Sequence, residues 1–238
     1  VCVAALITFT SSAQTRMNTG LKDIVIVFKT HFDNGYTDLS ERVLDKYGST
    51  LIEGALQGIE NTARLGKQQQ FTWTLSGYPM KEILRRNPAL RSRVGNAIRR
   101  GKFAVHALPC TFETESMTPE LLVRGFRFSD EIARSYGLDL PIDAKLTDVP
   151  SHSWILPTAL NQAGIKFLHI GCNAASRSPE VPLLFWWEGP DGSRLMTLYW
   201  GGYYGTDLIP PEGWPFTSWL AIIHTNDNLG APSLQEIK

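Results

Sequence analysis

The sequence has no surplus of either charge. Lys plus Arg and Asp plus Glu each number 23 in 238 residues, for a formal net charge of +0. Without a basic excess nothing neutralises a phosphate backbone, so no nucleic-acid partner is expected. Charged residues are sparse as well, at 19%. Cysteine is scarce, with three residues. Cys2 lies in the N-terminal apolar run, while Cys110 and Cys172 close two separate runs, FAVHALPC and FLHIGC. With a third strand between those two runs the sulfurs stand roughly 10 Å apart. That is beyond disulfide reach, so free buried thiols are expected. Residues 1–9 form an apolar run too short to span a bilayer, and no membrane span is expected. No internal repeat or low-complexity stretch stands out. What is plentiful is hydrophobic surface, 43% of residues with 7 Trp. This suffices for a large core and excludes wholesale disorder. The length suits one α/β barrel.

Residues 1–15 (VCVAALITFTSSAQT) have the pattern of a secretory signal, with Ser11 and Ala13 spaced like a signal-peptidase site before Gln14. Residues 1–13 are therefore expected to be a truncated signal peptide, and the protein secreted or periplasmic. A buried strand is the other reading of that run. Residues 233–238 (SLQEIK) read as the opening turn of a helix, so the domain over 22–238 is expected to be incomplete at its C-terminus.

Between these ends, strand-like and helix-like patterns alternate. Residues 23–28 (DIVIVF) form a continuous apolar run, as expected of a strand covered on both faces. Ser40 is positioned to cap a helix carrying Val43, Leu44, Tyr47, Leu51, Ala55 and Ile59, stopped near Gly66. Strands follow at 70–75, 102–108, 143–147 and 166–171. Helices are expected from Asn87-Pro88 to Gly101, from Thr118-Pro119 to Gly137, and over 156–163. After Pro179, residues 184–188 and 194–200 flank Gly189-Pro190-Asp191-Gly192, which is hairpin chemistry, and 221–224 is a last strand. Such alternation means βα units and a parallel sheet, whose ligands sit at the carboxyl ends of the strands.

Those strand ends are polar. The first runs into His31, Asp33 and Gly35; extended spacing points His31 and Asp33 the same way, toward one metal ion or into a simple His–Asp turn contact. The strand after 102 leads to Glu113 and Glu115. The strand from 143 is followed by Asp148, a ligand, a nucleophile or a helix cap, and then by His152. The last strand leads to His224, Asn226, Asp227 and Asn228. So many acidic groups at strand ends exceed what capping alone requires.

The HxD with its small Gly-containing turn resembles the opening zinc motif of glycoside hydrolase family 38, the α-mannosidases. Residues 147–153 (TDVPSHS) are similar to that family's D-P-F-G-H-S signature, whose Asp is both nucleophile and zinc ligand. Residues 71–78 (FTWTLSGY) resemble its F-x-W-E-x-S-Y strand, and 185–194 (FWWEGPDGSR) its F-x-W-x-G-x-D-G-S hairpin. Order and spacing agree over roughly residues 22–230. The departures are Lys29 and Thr30 before His31, Thr74 in place of the strand-two Glu, and Ser151 in place of the Gly before the signature His.

The resemblance implies an irregular (β/α)7-type barrel of the glycoside hydrolase/deacetylase superfamily. It implies a zinc-dependent retaining hydrolase acting on α-mannosides or related glycans, with a mannose-containing carbohydrate as partner. Zinc would be held by His31, Asp33 and Asp148, with a further His beyond Lys238. Asp148 would be the nucleophile and Asp227 the acid, with Glu115 next in line for that role and also a substrate contact. His152 would hold a ligand carboxylate from behind, or else be a turn histidine satisfied by its neighbours. Trp73 and Tyr204 would stack on sugar faces, although core packing is the commoner fate of aromatics. Two other functions fit parts of the pattern: a carbohydrate-binding protein that has lost turnover, and a metal-dependent carbohydrate deacetylase. The latter is disfavoured because Leu156, not His, stands four residues after His152. This stretch of chain alone is expected to be inactive.

Overall fold

A computed structural model describes residues 20–232. The signal-like segment and residues 233–238 lie outside that range.

Among the described residues there are eight strands and seven α-helices, alternating up to β5. The strands are β1 (Asp23–His31), β2 (Trp73–Ser76), β3 (Phe103–His106), β4 (Asp143–Asp148), β5 (Phe167–Cys172), β6 (Leu184–Glu188), β7 (Arg194–Trp200) and β8 (Ser218–Asp227). The helices are α1 (Ser40–Lys46), α2 (Ile52–Thr62), α3 (Gly77–Arg86), α4 (Arg91–Arg99), α5 (Pro119–Gly125), α6 (Arg127–Tyr136) and α7 (Leu156–Gln162). The first sheet runs β3-β2-β1-β8 and is parallel; the second runs β4-β5-β7-β6, with only the β6–β7 hairpin antiparallel.

The expected barrel is not closed by strand ladders among the described residues. The two open sheets are bridged instead by single contacts. Ala107 N–H donates to Asp143 O at 2.9 Å between β3 and β4. On the other side residues 203–206 lie between β5 and β8, with Cys172 N–H donating to Tyr203 O and Thr206 N–H to Ile222 O. Gly171 and Gly205 make this approach possible, because a Cβ at either would collide with the main chain of Tyr204 or Ile222.

Each sheet packs its outer face on helices. Trp73, Leu75 and Phe103 join α1, α2, α3 and α4 in one cluster; Leu146, Leu168, Ile170 and Tyr199 join α7 in another. The inner positions are polar. His31 bonds to Thr147, so Lys29 and His31 on β1 share a side with Lys145 and Thr147 on β4. Register then adds Thr74 and His224 beside Lys29, and His169 beside Lys145.

Several local expectations are corrected. The first half of β1 is not covered: Ile24, Val25 and Ile26 are exposed, because β2 pairs with β1 only at Phe28 and Lys29. Leu39, not Ser40, is the N-cap of α1, and a π-helical turn at Tyr47–Leu51 interrupts the helix. Regular α4 starts only at Arg91, after a turn over 88–90, although Asn87 Oδ1 accepts the cap-type bond from Leu90 N–H at 3.2 Å. Thr118 caps α5 as its sequence requires, accepting from Leu121 N–H at 3.2 Å. Cys110 and Cys172 are free thiols.

Candidate active site

Three strand ends meet above the polar interior. β1 ends at His31, β4 at Asp148 and β8 at Asp227. His31 is the register partner of Asp227, and its Nδ1 lies 2.8 Å from Thr147 Oγ1. Thr111 Oγ1 supports that hydroxyl at 3.0 Å. One hydrogen bond thus ties the last turn of the first sheet to the last turn of the second.

Strand alternation would turn Asp148 away from the side that Thr147 occupies. A left-handed backbone at Asp148, with φ 81°, breaks the alternation at a cost of about 1–3 kcal/mol. The carboxylate consequently reaches the same cluster. Tyr204 Oη donates to Asp148 Oδ1 at 2.9 Å, and Asn173 Nδ2 donates to the same oxygen at 2.9 Å. The Tyr204 ring in turn stacks on His31, with centroids 4.7 Å apart.

Asp227 sits between two further left-handed residues, Asn226 at φ 65° and Asn228 at φ 51°. Asparagine adopts this conformation more readily than most residues. Asn228 is a clamp. Its N–H donates to His31 O at 2.9 Å, its Oδ1 accepts from Asp33 N–H at 3.1 Å, and its Nδ2 donates to Asp33 O at 2.7 Å. The segment carrying His31 and Asp33 is thereby fixed to the end of β8.

The electrostatics separate the two carboxyl groups. Asp227 Oδ1 is buried without a hydrogen-bond partner. Burial pushes the Asp227 carboxyl above the usual range, and the negative charges of Asp33 and Asp148 push it further. Asp148, by contrast, accepts two side-chain donors. Burial, then Lys29, lowers His31 to about 4, while Asp148 and Asp33 oppose that shift. Burial also raises the Tyr204 hydroxyl, followed by its hydrogen bond to Asp148. His31, Asp33, Asp148 and Asp227 therefore share one electrostatic neighbourhood.

The remaining candidates lie elsewhere. Trp73 is fully buried against Phe103 in the first core cluster, so its face is closed to a sugar. Glu115 is exposed on a 3-10 turn over Thr114–Ser116. His152 holds no carboxylate; its Nδ1 lies 3.3 Å from Thr114 Oγ1.

Nor are the expected zinc ligands arranged as a metal site. Among the described residues no three His, Cys, Asp or Glu side chains are set to hold a metal ion. His31 Nδ1 is taken by Thr147, Asp33 Oδ2 accepts Thr37 N–H at 2.8 Å, and Asp148 Oδ1 is doubly hydrogen-bonded. The donor types suit zinc, but the side chains are not gathered around one point.

Sequence reasoning passes over Thr147, Asn173 and Asn228 as positioning residues. Only Asn228 carries a readable signal, since Asn beside Asp in a polar turn favours left-handed backbone.

No protein-family model and no curated protein matches the sequence. Solved structures do. An α-mannosidase from Enterococcus faecalis V583 superimposes with a TM-score of 0.71 at 18% identity, covering 91% of this chain and 26% of that one. A glycosyl hydrolase family 38 protein from Enterococcus faecalis gives 0.61 at 16% identity, covering 86% of this chain and 24% of that one. A 4-α-glucanotransferase from Thermococcus litoralis gives 0.57 at 13% identity, covering 87% and 34%. The chain shares the fold of these carbohydrate-active domains and spans a quarter to a third of their length.

Proposed function

We propose that the chain is the carboxylate-bearing part of a retaining glycoside hydrolase acting on α-mannosides or related glycans, its two sheets forming the halves of an irregular barrel. The observation that carries the proposal is the contrast between Asp148 and Asp227. Two carboxyl groups in one neighbourhood, one solvated by donors and the other buried without a partner on Oδ1, divide naturally into nucleophile and acid. The likeness in fold to an α-mannosidase supports the substrate class.

In the first step a carboxylate oxygen of Asp148 bonds to the anomeric carbon while the bond to the leaving oxygen breaks, and Asp227 gives its proton to that oxygen. In the second step Asp227, now ionised, takes a proton from water. The water oxygen displaces Asp148 at the anomeric carbon and restores both groups. Tyr204 and Asn173 hold the attacking carboxylate in place, and the His31–Tyr204 stack forms one wall of the site. Carrying both reacting groups on strand ends fixes their geometry before substrate arrives.

The test is steady-state kinetics of the full-length gene product on aryl α-mannosides, with the anomeric configuration of the first-formed sugar read by NMR. Release of the α-anomer supports the proposal. Release of the β-anomer, or no turnover beside tight sugar binding, replaces it with an inverting enzyme or a binding protein.

A further inference from the structure

Beneath the candidate site the interior is lined by bases. Lys29, His106, Lys145 and His169 are all buried, with exposures of 4%, 1%, 4% and 0%. Register places Lys145 beside His169, and His106 one strand repeat beyond the level of Lys29. Lys145 is the partner of His169 across β4 and β5, Lys29 is the partner of Thr74 across β1 and β2, and Ser76, two residues on, is the partner of His106. The two ring nitrogens of His106 and the two of His169 have no hydrogen-bond partner. Lys29 Nζ has one weak acceptor, Thr30 O at 3.3 Å. No carboxylate is among the groups that act on Lys29, His106 or His169; each instead feels one or both lysines. Asp143 opposes the burial that lowers Lys145.

Buried polar groups are ordinarily paired, and buried cations ordinarily meet an anion. Neutral imidazoles carry one N–H and one bare nitrogen each, so His106 and His169 leave two donors and two acceptors unmet. With the ammonium groups of two buried lysines beside them, donors are in excess and an acceptor is what is missing. A cation does not meet them, since no three His, Cys, Asp or Glu side chains among the described residues are set around a metal. We propose that Lys29, His106, Lys145 and His169 bind a small inorganic anion between the two sheets. Lysine ammonium groups would supply the charge and imidazole N–H groups the directed hydrogen bonds. The site is distinct from the carboxylate cluster above it, and its occupancy does not depend on hydrolase activity.

The experiment is thermal unfolding of the chain at pH 7 and fixed ionic strength, exchanging gluconate for chloride or for phosphate. A ligand that binds only the folded state at about 100 times its Kd raises Tm by roughly 5–10 °C in a protein of this size, and the rise saturates. The expected result is such a saturable rise with chloride or phosphate, absent in Lys145→Met. Equal Tm in all three salts, or an undiminished rise in Lys145→Met, overturns the proposal. Should Lys145→Met fail to fold, the 35Cl linewidth of the unaltered protein decides. Excess broadening removed by competing phosphate supports the site, and none overturns it.

Discussion

The rings of His31 and Tyr204 lie 4.7 Å apart at 26°, and the Tyr204 hydroxyl donates to Asp148 at 2.9 Å. One tyrosine therefore does two separable things. Its face fixes the end of β1, and its hydroxyl fixes the carboxylate at the end of β4.

Tyr204→Phe separates them. The stack survives and the hydrogen bond to a charged acceptor is lost. Such bonds contribute about 1.5–3 kcal/mol, so turnover of an aryl glycoside by the full-length protein should fall roughly 10- to 100-fold. Tm should fall by roughly 3–10 °C, and kcat measured beside a melting curve checks both.

Asp227→Asn removes the transferable proton and leaves the shape. Cleavage of substrates with poor leaving groups should slow by about 10²–10⁴-fold, and that of activated aryl glycosides far less. If both classes are cleaved at the unaltered rate, Asp227 is not the acid. Asp148→Asn should abolish turnover of both.

Acid should weaken the fold through its buried histidines. Burial holds His31 and His152 at about 4, below the roughly 6.5 of an unfolded histidine. Between those values the unfolded chain binds more protons, so stability rises with pH through this window and is lost as pH falls through it. Moving from pH 7 to 4.5 should cost on the order of 2 kcal/mol per histidine, read as a lower urea midpoint. His152→Gln should flatten the dependence.

Gly171→Ala would drive a methyl group into the main chain of Tyr204. Overpacking of this kind typically costs 1–3 kcal/mol, and backbone cannot step aside as a side chain can, so about 3 kcal/mol is expected by denaturant titration. Gly54→Ala, on an open helix face, should be neutral or slightly stabilising.

Much of the fold is legible because its signals are local. Thr118-Pro119 starts a helix by itself, and Gly189-Pro190-Asp191-Gly192 turns a hairpin by itself. The positions of His31, Asp33, Asp148 and Asp227 at strand ends follow from the same alternation. What escapes is set by distant partners. Whether 23–28 is covered depends on how far β2 extends beside it. Whether Trp73 faces a sugar or the core depends on which side of β2 meets the helices. The turn of Asp148 into the cluster depends on a left-handed residue that no neighbouring glycine announces.

The bare half of β1 has a colloidal consequence. Among the described residues no strand pairs with 23–27 on the side of β2, and Ile24, Val25 and Ile26 present 41–55% of their surface to solvent. A free backbone edge flanked by β-branched side chains is a template on which another chain can add a strand. In dilute solution nothing follows from it. At the concentrations used for crystallisation or spectroscopy it makes self-association a matter of time and protein concentration. A single lysine at position 24 or 26 would raise the barrier to it, several residues away from the carboxylate cluster.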